Sequence, residues 1–298
     1  MKIENLKFKV ESMWGYMRIM FLGTSAATSC PLVFCNCTVC KNGRTKKGKD
    51  IRKRSSLLIN EDLLIDLGPD VPTSSSMYNI DLTKVKYILQ THGHSDHFDA
   101  GHLITRLQEY APENVENISL LASKGTIKSL NRRLKAEEPD ANLFDEDWQR
   151  RLSMDIRYMD NGDCIKLGRY FITAVESLHD ISENSLIYVV NSNEKSILYG
   201  TDLLRLSDRA WDTLKRFELD VVILDHTYGE GFNAGGHLDS GQVIDIITKM
   251  KIEKIIHENS MIYATHISHE GNDIHEVMDK LVNKNGYHIA YDGLELNL

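Results

Sequence analysis

Tyr87-Ile88-Leu89-Gln90-Thr91-His92-Gly93-His94-Ser95-Asp96-His97 is the stretch whose reading decides the fold. The apolar run Val85 to Leu89 reads as a buried strand, and four metal-ligand side chains follow within six residues, before a helix-like segment opens at Phe98. His92 and His94 lie two apart, so an extended backbone turns both to one side. Asp96 and His97 lie where the chain bends toward the helix, so one short loop can serve two metals. Three of the chain's 12 histidines crowd into these six positions beside a carboxylate. Imidazole with carboxylate is the ligand mix that suits catalytic divalent ions, whereas a merely solvated turn has no need of that density.

Further along, each later β segment ends in a ligand type. His179 follows Tyr170 to Glu176, Asp202 follows Ser196 to Tyr199, and His266 follows Met261 to Ala264. A lone strand-end histidine is usually an ordinary polar terminus; their joint order after the histidine loop carries the inference. Upstream, Cys35-Asn36-Cys37-Thr38-Val39-Cys40 packs three of the 5 cysteines into six positions, which is poor disulfide arithmetic and good thiolate spacing. A closed tetrahedral zinc site needs a fourth ligand, and His269, three residues past His266, could turn toward the thiolates. Cys30 and Cys164 read as core or loop thiols.

Residues 1–16 precede the first convincing strand, Arg18 to Leu22, and read as an N-terminal extension. A Gly- and Lys-rich loop, 35–54, carries the cysteines and leads to a hairpin-like pair, Ser56 to Asn60 and Leu63 to Asp66. Leu103, Leu107 and Tyr110 fall at helical spacing until Pro112. Ser123 can cap a helix carrying Ile127, Leu130 and Leu134, and the acidic stretch from Glu137 to Asp147 follows. The region around 123–155 is expected to be an insertion able to act as a lid. Antiparallel β structure then resumes. It gives way to a helix from Asp208, a strand Val221 to Leu224, a helix capped by Ser240 and a last helix Asp273 to Asn283. This repeated rhythm of strands and then helices predicts an α/β (α+β) fold: two sheets face to face with helices outside, a four-layer αββα sandwich. With 298 residues and 42% hydrophobic content, residues 17–298 are expected to form one domain.

The net charge of −8 does not advertise nucleic-acid or anionic-membrane binding, so nucleic acid is not the favoured partner. The strip Lys41, Arg44, Lys46, Lys47, Lys49, Arg52, Lys53 and Arg54 could attract phosphates, although such strips are more often solvated, and it lacks interleaved aromatics for base stacking. No apolar run approaches a membrane span and the start is too polar for a signal-peptide core, so a cytoplasmic protein without membrane contact is expected. Homodimer formation is left open.

The pattern H-x-H-x-D-H, followed by the ordered strand-end ligands, resembles the metallo-β-lactamase superfamily. The resemblance implies that His92, His94 and His179 hold one divalent ion, that Asp96, His97 and His266 hold a second, and that Asp202 bridges them. Asp66 matches the family's early aspartate and is expected to orient the ligand loop. Two such ions, about 3.5–4 Å apart, acidify a shared water and grip both oxygens of a phosphoryl displacement. A bridging carboxylate, where some β-lactam-cleaving relatives use cysteine, moves the expectation toward phosphodiester hydrolysis.

The cysteine cluster together with Thr265-His266-Ile267-Ser268-His269 narrows the resemblance to the PhnP-like phosphodiesterase subfamily, from Arg18 to about Glu295. This implies hydrolysis of small cyclic phosphates or nucleotide-like phosphodiesters by two catalytic ions, manganese or zinc, with one structural zinc on Cys35, Cys37, Cys40 and His269. It also implies a catalytic His237, in Gly236-His237-Leu238-Asp239, with Asp96 counted as catalytic as well as ligating. Asp239 would either orient His237 or cap the following helix. The Asp225-His226-Thr227-Tyr228 segment, the acidic stretch and residues 1–16 depart from that pattern and leave the natural substrate open. A ribonuclease Z-like RNA phosphodiesterase uses much the same ligands, but its RNA-gripping arm has no counterpart here. A non-catalytic metal-binding member, like the pyrroloquinoline quinone biosynthesis protein, is the third reading.

Overall fold

The computed structural model describes residues 17–113, 115–232 and 235–298; the expected extension, 1–16, lies outside the described residues. In the central strands, residues alternate between two apolar environments rather than between core and water. In β1 (Arg18–Gly23), Ile19 and Phe21 face the interior between the sheets, whereas Met20 and Leu22 pack under helices. A strand covered on both sides has no polar face, which is why these segments read as continuous apolar runs.

The first half continues through α1 (Thr38–Lys46), β2 (Ser56–Ile59), β3 (Leu63–Ile65), α2 (Val71–Tyr78), β4 (Tyr87–Leu89), α3 (Gly101–Ile104), β5 (Ile118–Ala122), α4 (Lys124–Glu137), α5 (Glu146–Arg151) and β6 (Met154–Tyr158). The second half comprises β7 (Cys164–Leu167), β8 (Tyr170–Glu176), β9 (Leu186–Ser192), β10 (Lys195–Gly200), α6 (Asp208–Leu214), β11 (Leu219–Asp225), α7 (Ser240–Ile252), β12 (Ile256–Thr265), α8 (His275–Asn283), β13 (His288–Ile289) and β14 (Glu295–Asn297). Two 7-stranded sheets result, ordered β14-β1-β2-β3-β4-β5-β6 and β13-β12-β11-β10-β9-β8-β7. The chain's last strand thus returns to the first sheet, with Met20 opposite Glu295.

Three apolar layers account for the four structural ones. Phe21, Leu57, Tyr188 and Ile223 fill the space between the sheets. Leu64, Ile88 and Leu120 meet Ile127, Leu130 and Trp148 beneath the first helical layer, and Val222 and Leu224 meet Val243, Ile247 and Met278 beneath the second. The expected αββα sandwich is the fold observed. In each sheet, strands run parallel where helical crossovers join them: β3 to β6 in one, β10 to β13 in the other. Ligands in such sheets gather outside the carboxyl ends of the strands.

Several expectations need correction. Residues 123–155 are not an insertion: α4 and α5 form the crossover between the parallel neighbours β5 and β6. The acidic stretch disguised this, but Ala141 and Leu143 within it are fully buried, so it cannot lift as a lid without exposing core. The helix expected through Leu107 and Tyr110 is only the short α3, and Tyr110 is exposed. Helix α7 is capped by Asp239 rather than Ser240: its side chain accepts from Gln242 N while the Gln242 side chain accepts from Asp239 N.

Candidate metal centre

Strand ends deliver the candidate ligands to one rim. The loop after β4 carries His92, His94, Asp96 and His97; His179 follows β8, Asp202 follows β10 and His266 follows β12. The structure brings all seven together. The ligand atoms of His92, His94 and His179 lie within 4.8 Å of one another, as do those of Asp96, His97, Asp202 and His266. Asp202 stands between the groups, with Oδ1 3.4 Å from His179 Nε2 and Oδ2 2.6 Å from His97 Nε2 and 3.2 Å from His266 Nε2. Asp96 Oδ2 lies 3.2 Å from His97 Nε2 and 3.5 Å from His266 Nε2.

Each inner imidazole is anchored through Nδ1, which leaves Nε2 to face the centre. His92 Nδ1 is 3.0 Å from the Thr91 hydroxyl, His97 Nδ1 2.7 Å from Asp66 Oδ2, and His266 Nδ1 2.8 Å from the Thr227 hydroxyl. His179 Nδ1 donates to the Gly236 carbonyl at 3.0 Å. His94 instead presents Nδ1, 3.3 Å from His179 Nε2, and keeps its Nε2 3.5 Å from Asp180 Oδ2. Such outer partners select the tautomer and aim the ligand.

Asp66 does this for the whole loop. Fully buried, it accepts from Thr91 N at 2.8 Å, from the Thr91 hydroxyl at 2.8 Å and from Gln90 Nε2 at 3.1 Å, besides its contact with His97. Asp66, Asp202 and His266 occupy left-handed backbone with φ of 65°, 50° and 60°. That conformation costs a non-glycine residue about 1–2 kcal/mol, and here it coincides with the turns that aim these side chains off their strand ends.

The fit to a cation is tested by what is left unpaired. The Nε2 atoms of His92, His97 and His266 and Oδ2 of Asp202 are buried without a hydrogen-bond partner. Each such orphan costs about 1–3 kcal/mol. Aromatic nitrogens and carboxylate oxygens converging without donating to one another fit a pair of divalent cations. The carboxylates make the same spot favour positive charge: burial works against charge on His97, yet Asp202, Asp96 and Asp66 outweigh it and hold that imidazole well above the usual histidine value. Burial would raise Asp96 and Asp202, but the surrounding imidazoles hold both carboxyls below their ordinary value.

His237 lies beside this centre, with Nδ1 3.0 Å from Asp225 Oδ2 and 3.6 Å from Asp202 Oδ1. Burial opposes its charge, but the Asp225 bond prevails and raises its pKa to about 9. Asp225 is therefore the residue that orients His237, and Asp239 is the helix cap. Asp225 is itself fixed by Thr227 N at 2.9 Å, the Thr227 hydroxyl at 2.9 Å and Leu203 N at 3.3 Å. Sequence reasoning missed it, although it ends an apolar run as Asp202 does. His226 stays out of the centre, buried against the Tyr287 ring with its pKa lowered by burial to about 4.

A second candidate cluster unites Cys35, Cys37, Cys40 and His269, with His269 Nδ1 3.4 Å from Cys37 Sγ and 3.6 Å from Cys35 Sγ. Backbone N–H groups of Cys37, Cys40 and Leu32 point at the three sulfurs at 3.5, 3.5 and 3.4 Å, while burial and the neighbouring sulfurs push the Cys40 thiol up to about 12. Burial works against the Cys37 thiolate as well, but the Cys40 N–H and His269 hold Cys37 down at about 6. Four soft donors fit one zinc ion. The loop expected around it contains α1, and much of the basic strip is structural. Arg44 donates to the Leu32 and Cys35 carbonyls, each at 2.7 Å, and buried Arg52 to Thr24 at 2.8 Å and the Ala290 carbonyl at 2.6 Å. Lys53 pairs with Asp292 and Arg54 with Asp70, each at 3.0 Å.

The family model described as the beta-lactamase superfamily domain matches residues 62–267. A diphosphatase of the PhnP family is similar in structure, with a TM-score of 0.70 and 22% identity over 95% of this chain and 97% of that one. Zinc-bound PqqB from Methylobacterium extorquens superposes with a TM-score of 0.68 at 19% identity, covering 94% of this chain and 100% of its own. An octanoyltransferase from Porphyromonas gingivalis is 39% identical over 85 residues, which is 27% of this chain and only 16% of that protein's length. Among the described residues, no helix is long and apolar enough to cross a membrane.

Proposed function

The chain belongs to the beta-lactamase superfamily, and from that premise we propose that it is a PhnP-like, metal-dependent phosphodiesterase acting on small cyclic phosphates or nucleotide-like phosphodiesters. One observation carries this reading: Asp202 stands between two ligand clusters, 3.4 Å from His179 Nε2 and 2.6 Å from His97 Nε2, and a carboxylate-backed imidazole stands beside them. Divalent cations bound there, manganese or zinc, would supply Lewis acidity, polarising a phosphoryl oxygen and acidifying water. His92, His94 and His179 would hold one, Asp96, His97 and His266 the other, and Asp202 both. The Cys35, Cys37, Cys40 and His269 cluster, with room for a structural zinc, supports the PhnP-like subclass.

The chain's own groups have distinct tasks. Hydrolysis adds the oxygen of water to phosphorus and breaks the bond to an alcohol oxygen, which must leave with a proton. His237, its Nδ1–H held by Asp225, delivers that proton from Nε2. Asp96 accepts a hydrogen bond from the attacking water and so aims it at phosphorus.

The test is turnover of bis(p-nitrophenyl) phosphate with added manganese, followed by a panel of 2′,3′-, 3′,5′- and 1,2-cyclic phosphates. Turnover is expected; its absence in protein with both clusters metal-loaded overturns the reading in favour of a binding role. His237→Asn is expected to lower kcat on alkyl phosphodiesters about 10²–10⁴-fold with little change in KM. The loss should be smaller on p-nitrophenyl esters, whose leaving group needs no proton. An equal loss on both substrates would show that His237 does not act as the proton donor.

A further inference from the structure

Gly93, the residue between His92 and His94, is gripped through both its N–H and its carbonyl by charged side chains. Gly93 N donates to Glu183 Oε2 at 2.6 Å, and Arg133 Nε donates to the Gly93 carbonyl at 2.5 Å. Glu183 is 5% exposed, and the cation nearest to it, Arg132, lies 3.9 Å away on a solvent-exposed side chain. A carboxylate is costly to bury without strong partners, so the Gly93 N–H is its main compensation. The grip also explains the glycine: a Cβ at position 93 would lie 2.6 Å from Ser129 Cβ and 2.8 Å from Glu183 Oε2.

Both gripping residues are themselves fixed. Arg133 belongs to α4, whose N-cap Ser123 accepts from Thr126 N and donates to the Glu183 carbonyl at 2.5 Å. Glu183 N donates to Asp180 Oδ1 at 3.2 Å, within the loop that begins at His179, and Asp180 also faces His94. Three elements therefore meet at Gly93: the histidine loop, the helical crossover and the loop that carries His179. Among the described residues, no charged side chain is hydrogen-bonded to the backbone of Asp96 or His266; His266 is held through its ring by the Thr227 hydroxyl, and His97 from the opposite side by Asp66.

We propose that Glu183 and Arg133 are positioning residues that set the spacing of His92 and His94 against His179, and thereby the divalent-cation affinity of that cluster alone. The inference rests on the metal-dependent reading above, but it concerns binding rather than turnover.

Calorimetric titration of the full chain with zinc, and separately with manganese, tests it. Glu183→Ala is expected to weaken one of the two catalytic-centre binding events about 10–100-fold and leave the other unchanged. Glu183→Gln, whose amide oxygen still accepts from Gly93, should recover most of the loss. Arg133→Lys, which keeps the charge and loses the Nε–H bond, should weaken the same event and serves should the alanine variant not fold. Equal weakening of both events, or no weakening of either, overturns the proposal. A wild-type protein that binds both ions but turns over no phosphodiester would sink the proposed function and leave this inference intact.

Discussion

His94→Ala is expected to lower kcat for phosphodiester hydrolysis about a thousandfold or more while the melting temperature moves by no more than about 2 °C. The two halves of that expectation come from different features of one side chain. His94 is 42% exposed, so truncation leaves no cavity and no stranded buried partner, and such surface changes typically stay within about 0.5 kcal/mol. Its Nδ1 is nonetheless one of only three nitrogens in its cluster, 3.3 Å from His179 Nε2. With it gone, an ion bound there would keep His92, His179 and a share of Asp202, and a thousandfold loss corresponds to about 4 kcal/mol of transition-state stabilisation. His97→Ala would be a poorer experiment. That side chain is fully buried between Asp66 and Asp202, so removing it would leave two buried carboxylates without a partner and cost stability as well as a ligand. Full kcat in the His94 variant, measured with manganese and with metal content determined in parallel, would remove the three-histidine cluster from the catalytic centre.

The sequence shows these ligands because each carries two local signals, an apolar run and a ligand-type residue just past its end. The run Val221 to Leu224 ends the same way at Asp225, whereas Asp239 lies only two residues from His237 in sequence. In space, Asp225 is the closer partner, because the bridge between Tyr228 and Asp239 brings His237 back to the end of β11. Proximity along the chain misled where strand geometry would not have. The acidic stretch from Glu137 to Asp147 misled differently: its charge suggested an appendage, whereas Ala141 and Leu143 are core residues of a crossover. The Glu183 grip on Gly93 has no local signature at all. It joins a polar loop to a glycine 90 residues away in sequence, and neither partner sits in a periodic segment. Contacts between two loops are where single-sequence reading stops, because neither period 2 nor period 3.6 governs them.

Cys37→Ala should show the complementary pattern, a fall in melting temperature of about 10 °C with kcat per folded molecule largely kept. Cys37 is half-buried and caps α1, its sulfur accepting from Cys40 N, so truncation alone costs roughly the 1 kcal/mol of a lost cap. The larger effect comes through the cluster. Cys35, Cys40 and His269 cannot close a tetrahedral site, and the link between residues 35–40 and residue 269 is lost across most of the chain's length. Structural zinc is worth about 10–16 kcal/mol where it alone holds a fold together. Here three apolar layers remain, so only the part of that energy opposing local detachment is forfeited, about 3–5 kcal/mol, or about 10 °C for a domain of this size. Activity should survive because His266 is held by the Thr227 hydroxyl rather than by the cysteine cluster. Thermal denaturation with zinc analysis decides the matter. Loss of one zinc without loss of stability would make the cluster a binding site rather than a clasp, and unchanged zinc content would mean that these sulfurs hold no metal.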